Sequence, residues 1–127
     1  MCPEVEAAIE ELRRAFPSSA VEVVEEEPQG GAYVVVHNVF VGEQYEPSTT
    51  SAGFLITFQY PRADIYPLFF DQGLRRKDGR ALGEGFSLQN WRNRPALQVS
   101  RRSNRLNPAT DTAAVKLAKV LDWMRSR

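Results

Sequence analysis

"AVEVVEEEPQGGAYVVVHNVFV", Ala20 to Val41, decides the fold. Valines crowd both ends of the stretch, and a side chain branched at Cβ suits a pleated, extended backbone better than a helix. Between them, Pro28-Gln29-Gly30-Gly31 reads as a turn, because proline presets its own φ and glycine accepts a positive one. Two strands joined by so short a link must run antiparallel. The first, "AVEVVEE", alternates only in part, whereas Ala32 to Val41 is the stronger strand former.

Working outward, the loop "GEQYEPSTTSAG" leads into a third strand, "FLITFQY", Phe54 to Tyr60. A short fourth, "YPLFF", Tyr66 to Phe70, is entered through a proline, as expected of an edge that needs no ladder donor there. Upstream, Val5, Ala8, Ile9, Leu12 and Phe16 recur at helical spacing in "PEVEAAIEELRRAF", with Pro3 in the first turn and Phe16-Pro17 as the stop. Downstream, Asn107 reads as an N-cap, Pro108 as the first helical residue and Asp111 as a first-turn acid. Val115, Leu117, Ala118, Leu121, Trp123 and Met124 then form the apolar face, leaving Lys116, Lys119 and Arg125 outside. From Asp71 to Leu106 periodicity is lost, and so long an irregular stretch marks a site. The expectation is a single α+β domain over 1–127: an N-terminal helix, a four-stranded antiparallel meander, a long irregular loop and a C-terminal helix, with the helices on one face of the sheet.

Composition narrows the chemistry. A chain of 127 residues with 43% hydrophobic content can bury one core without staples. Cys2 is the only cysteine and His37 the only histidine, so neither a disulfide nor a His/Cys zinc site is expected, and no cofactor is called for. The acidic, amphipathic N-terminus is unlike a secretory signal, and no apolar run is long enough to span a bilayer; a reducing cytoplasm is the expected address, with no membrane partner. Net charge is zero but unevenly placed: residues 1–70 carry eleven acidic against three basic side chains, and residues 71–106 nine basic against three acidic. That is a local basic surface rather than a nucleic-acid signature, since Phe86 and Trp91 alone could stack on bases near it. "GLRRKDGRALGEG" lacks the GxxxxGK[ST] order of a phosphate loop.

Two local patterns carry a resemblance. "FQYPRADIYPLFF" is similar to the Phe-Pro, Tyr-Pro, Pro-Pro and Phe run after the third strand of ubiquitin-conjugating enzymes, and "LNPATDTAAVKLAKVLDWM" resembles the helix that follows their active-site loop. With the element order, the chain resembles the UBC-like fold, and especially the divergent bacterial conjugating-enzyme-like proteins. The resemblance implies an acyl carrier that accepts the C-terminal carboxyl of a ubiquitin-like protein from an activating enzyme. Counting back from Pro108, the family's nucleophile position falls on Gln98, and its His-Pro-Asn asparagine on Asn90 within "LQNW". No cysteine stands there, so the resemblance leaves two outcomes. Either a serine carries the acyl group as an oxyester, or the domain is an inert module that recognises a ubiquitin-like protein or its enzymes.

In the first outcome Ser100 is the expected nucleophile, with Ser87 and Ser103 as alternatives and Asn90 as the oxyanion donor. A serine hydroxyl needs a base or a lowered pKa to react, and Asp71, Asp78 and Glu84 are the carboxylates at hand. Arg101, Arg102 and Arg105 would favour an oxyanion or dock acidic partner residues, and Arg13 and Arg14 on the first helix are expected to contribute a partner surface. The blander reading makes the serines turn and capping residues and the arginines a solvated face.

Overall fold

The computed structural model describes residues 1–127. Helix α1, Pro3–Ala15, opens with Pro3 in its first turn, carries Glu4 and Glu6 at its positive end, and ends with Arg13 and Arg14. It buries Val5, Ala8, Ile9 and Leu12, the face expected from the spacing. Strand β1, Val21–Glu26, pairs with β2, Ala32–Phe40, across the Pro28–Gly31 turn. Along β2, Ala32, Val34 and Val36 are buried while Tyr33, Val35 and His37 remain half-exposed, so the period of two assigns its faces.

The remaining strands are β3 (Tyr45–Glu46), β4 (Thr49–Ile56), β5 (Leu68–Phe70), β6 (Arg75–Arg76), β7 (Phe86–Trp91) and β8 (Arg94–Val99). One antiparallel sheet runs in the order β1-β2-β4-β5-β8-β7, and β3 pairs separately with β6. Helix α2, Ala113–Arg125, packs beside α1. Val34, Phe54, Ile56, Leu68 and Val99 from the sheet join Ile9, Leu12, Leu117 and Leu121 from the helices in one contiguous core. The architecture is α+β, with both helices on one face of the sheet. No helix is long and apolar enough to cross a membrane.

Four expectations are corrected. The main sheet has six strands rather than four, because the stretch read as irregular folds into the β7–β8 hairpin. Its two-residue turn, Arg92-Asn93, takes φ values of 53° and 65° without a glycine. The third strand begins at Thr49 and stops at Ile56, with Thr57–Tyr60 turning away. The last helix starts at Ala113, capped by the Thr112 hydroxyl that accepts from the Val115 N–H at 3.2 Å. Asn107 instead closes a turn: its side-chain oxygen accepts from the Ala109 N–H, and its own N–H donates to Asp111 at 2.7 Å. Finally, the buried face of α2 is Ala113, Ala114, Leu117, Val120, Leu121 and Met124, with Val115 and Ala118 exposed and Lys116 buried.

Candidate functional site

Residues 100–112 connect β8 to α2 as a strap tied down at several points. At its start, the Ser100 N–H donates to the Gly85 carbonyl at 2.8 Å, continuing the hairpin ladder past its last paired residues. The Arg101 guanidinium lies 4.8 Å over the Trp123 ring, and that of Arg102 4.1 Å over Tyr66. Such stacking holds the planar groups in place while leaving their N–H edges toward solvent.

Beneath them sits a polar cluster that the sequence did not announce as a unit. Asp64, from the turn before β5, accepts from the Ser103 N–H and from its hydroxyl, both at 2.8 Å. The Lys116 ammonium reaches both Asp64 oxygens at 3.2 Å, the Ser103 Oγ at 3.1 Å and the Arg101 carbonyl at 2.6 Å. Only 6% of the Lys116 side chain is exposed, against 22% for Asp64. Burial pushes the Lys116 pKa down, opposed by the Asp64 carboxylate. For Asp64, burial alone would raise the pKa, but the two Ser103 hydrogen bonds and the Lys116 ammonium outweigh it and hold the group below its ordinary range. The Asp64 shift favours its charged form, whereas the Lys116 shift works against the ammonium and is opposed by that carboxylate. The strap, Lys116 and Lys119 line a cleft of about 240 Å³.

The sequence-derived candidates separate in space. Ser103 belongs to the cluster. Ser100 accepts from the Gln98 side-chain amide at 2.9 Å, and Ser87 lies opposite Gln98 in the β7–β8 ladder, so both stand on a polar strip of the sheet face turned away from the helices. Asn90 is exposed near the hairpin turn, opposite Pro95. It lies five positions along the strand from Gly85, the partner of Ser100, a distance of about 17 Å at the rise of an extended chain. The hairpin therefore holds Asn90 and Ser100 at opposite ends. Among the carboxylates considered, Asp78 binds Arg76 and the Arg80 N–H, and Asp71 closes its own turn on Gly73. Arg105 is exposed in the strap. Arg13 bonds Glu10 at 2.7 Å and Arg14 is exposed beside it, on the outer face of α1.

Sequence reasoning missed Asp64 and Lys116. Lys116 was placed with the solvent-facing lysines, and nothing local distinguishes Asp64; their pairing spans 52 positions. No three His, Cys, Asp or Glu side chains converge as a metal would require. Comparison of the chain with protein-family models, with curated proteins and with solved structures finds no match.

Proposed function

We propose that this chain is a UBC-like domain of a bacterial ubiquitin-like-protein conjugation pathway, acting as a binding module that holds the carrier without bonding to it. The observation that carries the reading is the state of Ser103. Its hydroxyl donates to Asp64 and accepts from the Lys116 ammonium, so it is a fixed link in the ion pair that ties down the strap. Ser100 has an amide donor against it rather than a base. What the strap offers outward is positive charge, with Arg101 and Arg102 stacked on rings and Lys119 at the cleft wall. Such a cleft suits the C-terminal carboxylate of a ubiquitin-like protein, recognised by charge-assisted hydrogen bonds.

The decisive experiment incubates the protein with ATP, an activating enzyme and its ubiquitin-like protein from the same genome. Intact mass is then read before and after hydroxylamine. The expected result is no adduct, together with carrier binding that weakens at least ~10-fold in Arg101→Glu/Arg102→Glu, about 1.4 kcal/mol. Binding by that variant at full strength removes the proposed cleft.

One pair of distances favours a second reading, an acyl carrier using serine. Ser103 Oγ lies 2.8 Å from a carboxylate and 3.1 Å from an ammonium. In that case Ser103 rather than Ser100 attacks the carrier carbonyl held as a thioester on the activating enzyme, Asp64 takes the hydroxyl proton, Lys116 stabilises the developing oxyanion, and collapse to the ester breaks the C–S bond and returns that proton to the departing thiolate. A hydroxylamine-sensitive mass gain mapped to Ser103, and lost in Ser103→Ala, would establish it.

A further inference from the structure

The two edges of the main sheet are built differently. The β1 edge carries Glu22, Glu25 and Glu26, and its register shifts between Val23 and Glu25. Charge and irregularity of this kind are the usual guards against edge-to-edge pairing. The β7 edge, "FSLQNW", has no charged residue, no proline and an unbroken register through all of its six pairs with β8. At its centre stands Leu88, 70% exposed, the most exposed large hydrophobic side chain of the chain.

Hydrogen-bond phase adds a geometric condition. The Ser100 N–H to Gly85 carbonyl bond marks that pair as hydrogen-bonded. In an antiparallel ladder such pairs alternate with non-bonded ones, so Ser87, Gln89 and Trp91 spend their backbone groups on β8. Phe86, Leu88 and Asn90 turn theirs outward. The Phe86 N–H has only a long 3.4 Å contact to the Gly83 carbonyl, within the turn.

We infer that β7 is the interface through which two copies of this chain pair about a two-fold axis at Leu88, joining their sheets edge to edge. An antiparallel pairing centred there sets Leu88 against Leu88 of the second copy and Phe86 against Asn90. Every outward backbone group then meets another, giving about six inter-chain bonds. The two Leu88 side chains cover each other. The ends also match in charge: exposed Glu84 precedes β7 and exposed Arg94 follows its far turn, where Arg92 is held by Glu25 of its own chain, so the antiparallel arrangement places the acid of each copy near Arg94 of the other. A second copy satisfies the backbone, the apolar centre and the charged ends together. The interface is small and belongs to the weak, transient class. It does not depend on the function proposed above.

The test is sedimentation equilibrium of the whole chain from about 10 to 500 µM, with the variants chosen for exposed positions so that the fold is retained. A monomer–dimer equilibrium is expected, weakened at least ~10-fold by Leu88→Lys, which sets like charges directly opposite. Glu22→Gln on the other edge, whose side chain meets His37 instead, should leave it unchanged. Geometry is read independently in a Cys2→Ser background. Leu88→Cys should form a disulfide-linked dimer under mild oxidation, because the paired Cα atoms of a hydrogen-bonded site sit about 5.5 Å apart. Gln89→Cys, displaced from its symmetry mate, should not. A chain that stays monomeric throughout, a dimer indifferent to Leu88→Lys, or cross-linking through Gln89→Cys but not Leu88→Cys would overturn the inference. Any partner on that edge would then be a different protein.

Discussion

Replacing Asp64 with alanine should cost far more than loss of a surface ion pair. Exposed pairs contribute about 0–1 kcal/mol, because water screens them and both side chains lose freedom. Asp64 and Lys116 differ in that the ammonium is buried, with 6% of its side chain exposed. After Asp64→Ala the ammonium keeps only the Arg101 carbonyl and the Ser103 Oγ, and both Ser103 donors lose their acceptor. Removing one partner of a buried pair typically costs about 3–5 kcal/mol. The 22% exposure of Asp64 gives water an approach from that side, which points to the lower end, about 3 kcal/mol. With an unfolding entropy near 2.1 cal/mol/K per residue, that corresponds to a Tm lowered by about 10 °C. Thermal and urea unfolding followed by circular dichroism would measure it. The companion Lys116→Met should lose only about 1 kcal/mol, since the remaining carboxylate keeps two Ser103 donors and some water. Asp64→Leu/Lys116→Met should be less damaging than Asp64→Ala alone, because it leaves no orphaned charge. A loss below about 1 kcal/mol for Asp64→Ala, or a double variant as poor as the sum of its parts, would refute the view that a desolvated ion pair locks the strap.

The same carboxylate predicts an acid limb to stability. Its pKa is depressed in the fold, so its contribution is complete above the unfolded value of about 3.9 and is lost as pH falls through the lower, folded one. Urea midpoints between pH 6 and pH 2 should therefore drop more steeply for the native chain than for Asp64→Asn, and parallel curves would contradict the assignment. At Gly53 an added Cβ would overlap the edge of the Trp91 ring, 2.7 Å from its Cη2, and that ring lies across the sheet and stacks on Phe69 with centroids 5.4 Å apart. Gly53→Ala should displace that ring at a cost of about 1–3 kcal/mol, seen as a shift in tryptophan emission; an unchanged spectrum and Tm would mean the indole is loosely held. Gly85→Ala combines a φ of +91° with Trp123 only 2.7 Å from the new Cβ, and should lose at least about 1 kcal/mol in urea unfolding. Stability equal to the native chain would show that the β7 entry adapts.

Where the sequence was legible, the determinant was local and periodic. The α1 face follows from Val5, Ala8, Ile9 and Leu12, and the first hairpin from valines flanking a Pro-Gly turn. The second hairpin also alternated, with Phe86 and Leu88 on one strand answering Leu97 and Val99 on the other. It was hidden by its turn and its proline. Arg92 adopts a positive φ that favours asparagine or glycine, so no turn signal marked the reversal. Pro95 read as a breaker, yet it faces Asn90 at a position where the β7–β8 ladder asks for no donor. The α2 boundary failed for a related reason: Asn107, Pro108 and Asp111 are the residues of a helix start and equally those of a self-closing turn.

The serine- and arginine-rich run before α2 shows why such a site resists reading from one sequence. Its residue types are those of a solvated loop, and pattern alone cannot tell which atoms face inward. In the structure the division runs within single residues. The Arg101 carbonyl turns in to Lys116 while its guanidinium turns out over Trp123. Ser100 and Ser103, three positions apart, serve different surfaces, one bound to the outer sheet face and one to the core-side ion pair. What sorts them is Asp64, supplied by the turn before β5, and its effect on Lys116 converts an apparent surface lysine into the anchor of the strap. The cationic cleft follows from that anchor. With the Lys116 charge countered from below, the strap can hold Arg101 and Arg102 over the Trp123 and Tyr66 rings, and their charge remains exposed to solvent. Loosening the anchor should therefore weaken binding of an acidic partner even though Asp64 itself is an acid, a sign opposite to the one expected if net charge alone governed the cleft.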